Sequence, residues 1–190
     1  MNLEHLRSLI APTTADNNTY AKTPFAFITE PHLNASYTDG EISIQGYNIL
    51  RQDRDPTKSR KSKHGGVLVY IHEDVQTTKE SKYAGEDLEL VAFTDKKTGI
   101  RYVHMYRMPG HTITEDALKA IEKEANTVGR TIIVGDLNMN MHRSRKQPAQ
   151  LHTLLSQQLR DPNGQRLKQY VGFATYHRES KQARQQTFCS

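Results

Sequence analysis

The stretch from Thr131 to Asn138, with the sequence Thr-Ile-Ile-Val-Gly-Asp-Leu-Asn, constrains the fold of this chain most strongly. Its short run of Ile and Val is typical of a strand that is covered on both faces. Gly135 then allows a sharp backbone turn or the close approach of a ligand. In extended backbone the side chains of Asp136 and Asn138 face the same way, so they can hold one ligand together. An Asp-x-Asn turn that simply closes the strand explains the pattern equally well.

A second short apolar run ends in a carboxylate. Phe25 to Thr29 is followed by Glu30, and Pro31 stops the strand. Because a divalent cation needs oxygen ligands that converge from separate elements, Glu30 and Asp136 together suggest a cation site. The alternative for Glu30 is a surface acid at the end of a strand.

The remaining pattern predicts an α/β fold with a mixed sheet. Strands are expected from Asn48 to Asp53 and from Gly65 to His72. Leu88 to Thr94 and Arg101 to Tyr106 predict a hairpin, in which Gly99 supplies the positive φ of the turn. A capping-box pattern from Thr112 to Glu115 predicts the start of a helix that continues up to Gly129.

Length and composition narrow the class of protein. A chain of 190 residues suits one domain with a real core. One cysteine excludes a disulfide framework, no apolar run reaches membrane-spanning length, and the N-terminus lacks a signal-peptide layout. These features favour an intracellular protein. A net charge of +5 favours polyanionic partners, and the basic loop from Arg54 to His64 is either a contact with a phosphate backbone or merely a solvated loop.

Other site chemistries lack their motifs. The sequence has no Gly-x-x-x-x-Gly-Lys-Ser/Thr loop to hold nucleotide phosphates. It has no His-Glu-x-x-His motif and no zinc-type spacing of Cys and His. Cys189 lies in a polar tail and is a poor candidate nucleophile.

Several weak motifs occur in one order along the chain. They are a strand that ends in Thr29-Glu30, then Leu33-Asn34, Ile44-x-Gly-Tyr47, Arg51-x-Asp-Arg54, Gly65-Gly-Val-Leu-Val-Tyr70, Tyr106-Arg-x-Pro109 and Ile133-Val-Gly-Asp-x-Asn138. In this combination the chain resembles the endonuclease/exonuclease/phosphatase superfamily, and most closely the endonuclease domain of non-long-terminal-repeat (LINE-type) retrotransposons.

The resemblance implies a fold and a chemistry. The fold is a four-layer α/β sandwich of two mixed β-sheets flanked by helices, and the chemistry is hydrolysis of phosphodiesters with Mg²⁺ or Mn²⁺. Glu30 matches the metal-binding acid, and Tyr106 matches the tyrosine near the scissile phosphate. Asp136 matches the aspartate that orients or activates the attacking water, and Asn138 its partner on the phosphate oxygens.

The resemblance also implies DNA as the partner, within a larger reverse-transcriptase polyprotein, and a nuclear location if the substrate is genomic DNA. Basic side chains outside the catalytic set are the expected nucleic-acid contacts. They are Arg60, Lys61, Lys63, Arg107, Arg143 and Arg145.

The match covers the predicted domain, residues 1–175, and leaves residues 176–190 as a polar tail. The family's first strand ends in an active-site asparagine and its last motif is Ser-Asp-His, and neither has a counterpart here. His104 and His177 are the histidines nearest to matched motifs. Three functions stay open: an endonuclease with impaired hydrolysis, a non-catalytic nucleic-acid-binding remnant, and a phosphodiesterase or phosphatase that acts on another substrate.

Overall fold

The computed structural model describes residues 23–58, 65–127 and 129–138. These residues form seven strands and one helix in the chain order β1, β2, β3, β4, β5, β6, α1, β7. The strands are β1 (Phe25–Thr29), β2 (Tyr47–Gln52), β3 (Val67–His72), β4 (Thr77–Ala84), β5 (Leu88–Asp95), β6 (Arg101–Arg107) and β7 (Thr131–Asp136), and the helix is α1 (Glu115–Ala125).

The strands form two sheets. The first has the order β1-β3-β2 and is antiparallel. The second has the order β4-β5-β6-β7, in which β6 and β7 run parallel and the other neighbours run antiparallel. The expected mixed sheet is therefore present, and so is the β5–β6 hairpin, where Gly99 has a φ of 68°.

Apolar side chains of the two sheets pack face to face. The core between them contains Leu50, Val67, Val69, Ile71, Val91, Phe93 and Tyr106, with Phe25, Phe27, Val75 and Tyr102 against it. A second core lies between α1 and the other face of the four-stranded sheet. In the described residues, the outer face of the three-stranded sheet is covered by Ile42 and Ile44 of the loop before β2.

Three features differ from the sequence expectations. β7 is only half-buried and the side chain of Ile132 is exposed, so the described residues do not cover this strand on both faces. The helix is capped by Thr114 instead of Thr112, and it ends at Ala125. β4 was not predicted, because its sequence Thr-Thr-Lys-Glu-Ser-Lys-Tyr-Ala is largely polar and has no apolar alternation.

Long-range contacts explain the position of the helix cap. Asp87 lies before β5 and is buried. Its carboxylate accepts hydrogen bonds from the backbone N–H and the hydroxyl of Thr114 at 2.7 and 3.0 Å. Thr114 can still accept from the N–H of Ala117, as an N-cap does. The tertiary contact therefore selects one of two threonines that are both acceptable as caps.

Candidate functional site

The candidate site begins as a row of three polar side chains across the four-stranded sheet. Tyr106 on β6 lies opposite Glu89 on β5 and opposite Asp136 on β7. Directly opposed residues project from the same face of a sheet. Tyr106 belongs to the core between the two sheets, so this face is the one that meets the first sheet.

Glu30 completes the site from the other sheet. It follows β1, and its carboxylate accepts a hydrogen bond from the Tyr106 hydroxyl. Its backbone is in the left-handed region with a φ of 51°, and its N–H donates to the Gly66 carbonyl at 3.1 Å. A non-glycine residue in this region is strained, and such strain concentrates at functional sites. Glu30 and Asp136 are therefore both brought to Tyr106, one through a hydrogen bond and one through strand register, and their joint role at a cation stays a prediction.

The environment keeps Tyr106 in its neutral phenol form. Burial, the hydrogen bond to Glu30 and the charges of Glu30 and Asp136 raise the pKa of the Tyr106 hydroxyl well above its ordinary value, and only Arg54 opposes them. At neutral pH the phenol is therefore a hydrogen-bond donor and not a base.

Asp136 and Asn138 form an Asp-x-Asn turn, which was the alternative to two side chains that hold one ligand together. The Oδ1 of Asp136 accepts from the backbone N–H of Asn138 at 2.8 Å, which closes an Asx turn. Asn138 has a φ of 47°, so the backbone is not extended there. Its side-chain amide donates to the Arg107 carbonyl at 2.8 Å, which ties the turn to the end of β6. Both residues still border the same end of the sheet as Tyr106.

Gly135 is required by the neighbouring strand. A Cβ at this position would lie 1.8 Å from the carbonyl oxygen of Met105, and the backbone has a φ of 140°. The glycine therefore permits the close approach of β6 to β7, immediately before Asp136. The sequence had suggested either a turn or a ligand contact as the reason for this glycine.

Arg54 has a structural role at the site. Its side chain is buried and forms two hydrogen bonds with the Glu89 carboxylate, at 2.6 and 3.0 Å. Its guanidinium also lies 5.6 Å from the centre of the Tyr106 ring, a distance suited to a cation–π contact. The interpretation of Arg54 as part of a solvent-facing basic loop is wrong.

Arg107 is also buried. Its guanidinium donates to backbone carbonyls of His111, Leu137 and Asn138. These bonds fix the loop after β7 to the loop after β6, and a contact with nucleic acid would require them to be exchanged. The placement does not favour the predicted role of Arg107 in nucleic-acid binding.

The other predicted nucleic-acid contacts lie outside the described residues. They are Arg60, Lys61, Lys63, Arg143 and Arg145. His177 and the polar tail, residues 176–190, lie outside them as well. Their roles stay predictions.

The residues of the site are compatible with a water-rich Mg²⁺ ion. In the part of the chain that the structure describes, no group of three His, Cys, Asp or Glu side chains could hold a metal ion as a closed cage. Mg²⁺ usually keeps several waters and binds through one or two carboxylates plus substrate phosphates. Glu30 is half-buried and accepts the hydrogen bond of the Tyr106 hydroxyl, so one carboxylate of this kind is available.

Glu89 was missed from the sequence, and His104 was named only as a histidine near a matched motif. Glu89 is a carboxylate within the apolar run of β5, and His104 is an imidazole within the apolar run of β6. A charged or polar side chain in a strand that is otherwise buried needs a partner. That signal was available, but the partners are distant in sequence.

Comparison with solved structures finds distant likenesses. The chain aligns with a humanized D. rerio TDP2 carrying 14 mutations at 11% identity and a TM-score of 0.47, over 73% of this chain and 55% of that one. It aligns with the endonuclease domain of TRAS1, a telomere-specific non-LTR retrotransposon, at 18% identity and a TM-score of 0.45, over 70% and 56%. It aligns with the human Nocturnin catalytic domain with bound sulfate anion at 12% identity and a TM-score of 0.38, over 63% and 53%.

This chain spans about half the length of the structures that it matches. No family model and no curated protein matches the chain. At identities of 11 to 18% and TM-scores of 0.38 to 0.47, these likenesses assign no role to any residue of this chain. Over the described ranges, no helix is both long and apolar enough to cross a membrane.

Proposed function

We propose that this chain is a Mg²⁺-dependent phosphodiester hydrolase that acts on DNA, with Glu30, Tyr106, Asp136 and Asn138 as its site. The observation that carries the proposal is the convergence at Tyr106. A carboxylate from one sheet accepts its hydroxyl hydrogen bond, and a carboxylate from the other sheet lies opposite it in register.

The charges at the site favour a divalent cation. Glu89 is paired with Arg54, whereas Glu30 and Asp136 are two further acids around one phenol. A phosphodiester is an anion, so two carboxylates repel it unless a cation lies between them. Mg²⁺ held by Glu30 would neutralise charge on the phosphoryl oxygens.

Each residue has a step that suits its chemistry. Tyr106 has one hydroxyl hydrogen, which Glu30 accepts in this structure. With Glu30 turned to the cation, the neutral phenol would donate that hydrogen to a phosphoryl oxygen, on which negative charge grows as the water oxygen attacks phosphorus. The Asp136 carboxylate accepts a hydrogen bond from that water and aligns it with the phosphorus–oxygen bond that breaks. The Asx turn and the Asn138 amide hold Asp136, the last residue of β7, beside the end of β6.

A non-catalytic nucleic-acid-binding protein is the second candidate, and the placement of His104 favours it. This imidazole is buried, and both ring nitrogens lie against backbone carbonyls, so it cannot take a proton from an attacking water. A general base is typically worth about 10²- to 10⁴-fold in rate. Slow hydrolysis is therefore expected if no residue outside the described ranges supplies the base.

A nicking assay separates the two candidates. Supercoiled plasmid is incubated with Mg²⁺ and the full chain, its Asp136→Asn variant, or its Glu122→Gln variant. Glu122 is an exposed acid on α1, which packs on the opposite face of the sheet, so it is a matched acid-to-amide control. Nicking by the wild type and the control but not by Asp136→Asn supports hydrolysis at this site. Plasmid binding without nicking in all three supports the second candidate.

The retrotransposon origin is a further part of the proposal, and it rests on the ordered motifs. It predicts an adjoining reverse transcriptase segment in the same polyprotein and a nuclear location. Sequencing the DNA that flanks this reading frame tests it, and flanks without a reverse transcriptase would refute it.

A further inference from the structure

His104 occupies a buried position between three strands. It lies on β6, two residues before Tyr106, and its side chain is 1% exposed. Its Nε2 lies 3.0 Å from the carbonyl oxygen of Ile28 on β1. Its Nδ1 lies 3.2 Å from the carbonyl oxygen of Val134 on β7. The imidazole also forms a T-shaped contact with the ring of Phe27, with ring centres 5.4 Å apart.

His104 and the two residues whose carbonyls it meets have the same spacing from the candidate site. Ile28 precedes Glu30 by two residues, His104 precedes Tyr106 by two, and Val134 precedes Asp136 by two. Two residues of strand span about 6.6 Å and return to the same face. The imidazole on β6 therefore contacts β1 and β7 two residues before the site residue that each strand carries or leads into.

Within the described ranges, no ladder of backbone hydrogen bonds joins the two sheets. β1 pairs only with β3, and β7 pairs only with β6, among the described strands. The distance between Glu30 and Asp136 consequently depends on side-chain packing and on the imidazole that contacts both β1 and β7. The rigid ring fills the gap between the two carbonyls, and in its neutral form it donates a hydrogen bond to one of them.

We propose that His104 is a positioning residue that sets the placement of Glu30 and Asp136 around Tyr106, an inference that rests on the proposed function of these residues. A neutral imidazole donates its one N–H to one carbonyl, and its other nitrogen is held against the second carbonyl by the packing of the sheets. The same contacts would also occur if His104 only filled a buried space. A positioning role predicts that Glu30 and Asp136 move when the ring is replaced, whereas a space-filling role predicts only a loss of stability.

The test replaces His104 with Gln, which keeps one amide donor, and with Phe, which keeps a ring of similar size without nitrogens. His72→Gln is the matched control, since His72 is also buried and lies on β3. Unfolding in urea establishes that each variant is folded. The activity measurement is the separate determination of kcat and KM for plasmid nicking.

Misplacement of reacting groups by about 1 Å can reduce rates about 100-fold. We therefore expect kcat to fall on the order of 100-fold in both His104 variants, with KM within about twofold, because substrate contacts outside the site remain. The control should keep both constants. A proportionate loss of kcat and folded fraction in the His104 variants, with no change per folded molecule, would overturn the proposal.

A second measurement does not depend on activity. Nuclear Overhauser contacts between the Tyr106 ring and the side chains of Glu30 and Asp136 are measured by NMR. In the wild type and in His72→Gln these contacts should be present, since both acids are held beside the phenol. In both His104 variants they should weaken as the acids move away. Unchanged contacts would refute the positioning role even if the wild type is inactive, while wild-type inactivity alone refutes only the proposed function.

Discussion

The ion pair between Arg54 and Glu89 makes the sharpest stability prediction. The two side chains are 4% and 1% exposed, and the nitrogens Nε and Nη2 of Arg54 each donate to one Glu89 oxygen. Replacing Arg54 with Met removes the cation and leaves a buried carboxylate without its partner. The loss of one member of a buried pair typically costs about 3–5 kcal/mol. Since whole domains are stable by only about 5–15 kcal/mol, this is a large share.

A double replacement distinguishes the attraction between the two charges from the cost of removing both charges from water. Arg54→Met combined with Glu89→Leu removes both charges and fills the same space with apolar atoms. Such replacements are often neutral or stabilising by about 1–4 kcal/mol. The double variant should therefore be more stable than Arg54→Met alone, in spite of carrying two substitutions.

Urea unfolding followed by far-ultraviolet circular dichroism measures these differences, because the chain has no tryptophan for fluorescence. The midpoint should fall for Arg54→Met at an unchanged slope. Lys119→Ala is the control, as Lys119 forms an exposed pair with Glu115 on α1, and its midpoint should not change measurably. If Arg54→Met is no more destabilising than the control, or if the double variant is worse than the single, the buried pair does not contribute as argued.

Three further predictions concern the residues around the site. Gly135→Ala should lower the free energy of unfolding by about 2–3 kcal/mol, because the new Cβ would overlap the Met105 carbonyl. An unchanged urea midpoint would contradict this prediction. Tyr106→Phe should reduce kcat about 10²-fold, since it removes one donor to the phosphoryl oxygens, and a wild-type rate would exclude that role. Burial lowers the pKa of His104, so the ring is neutral in the fold while the unfolded chain takes up a proton at a pH of about 6.5. The stability of the wild type should therefore decrease as the pH falls below that value, and this decrease should be smaller in His104→Gln when both are followed by urea unfolding.

The sequence predicted the strands that have strong apolar runs. β1, β2, β3, β5, β6 and β7 were all expected near their observed bounds, because burial on at least one face requires such runs. β4 escaped prediction because it pairs with β5 through its backbone and carries polar side chains, including Lys79 at a φ of 52°. Backbone hydrogen bonds between strands do not require any particular side chains, so the amino-acid composition of β4 does not reveal them.

The acidic residues of the site were predictable from the sequence, but the buried residues that hold them in place were not. Glu30 and Asp136 were recognisable because each directly follows or ends an apolar strand, and ordered motifs drew attention to Tyr106. Arg54 was assigned to a basic loop because the residues after it are basic. Its true partner, Glu89, lies 35 residues away and became its neighbour only through the packing of the two sheets. Buried ion pairs of this kind depend on tertiary structure, which one sequence does not reveal.

The most direct test of the account is the location of a bound divalent cation. Mn²⁺ is added to the full chain with ¹³C-labelled tyrosine, and paramagnetic broadening of the ring signals is measured for the wild type, Glu30→Gln and the control Glu122→Gln. We predict that the Tyr106 signals broaden selectively in the wild type and the control, and that more Mn²⁺ is needed in Glu30→Gln because a carboxylate ligand is lost. Equal broadening of Tyr106 in the wild type and Glu30→Gln, or none in either, would contradict the proposed metal-dependent site.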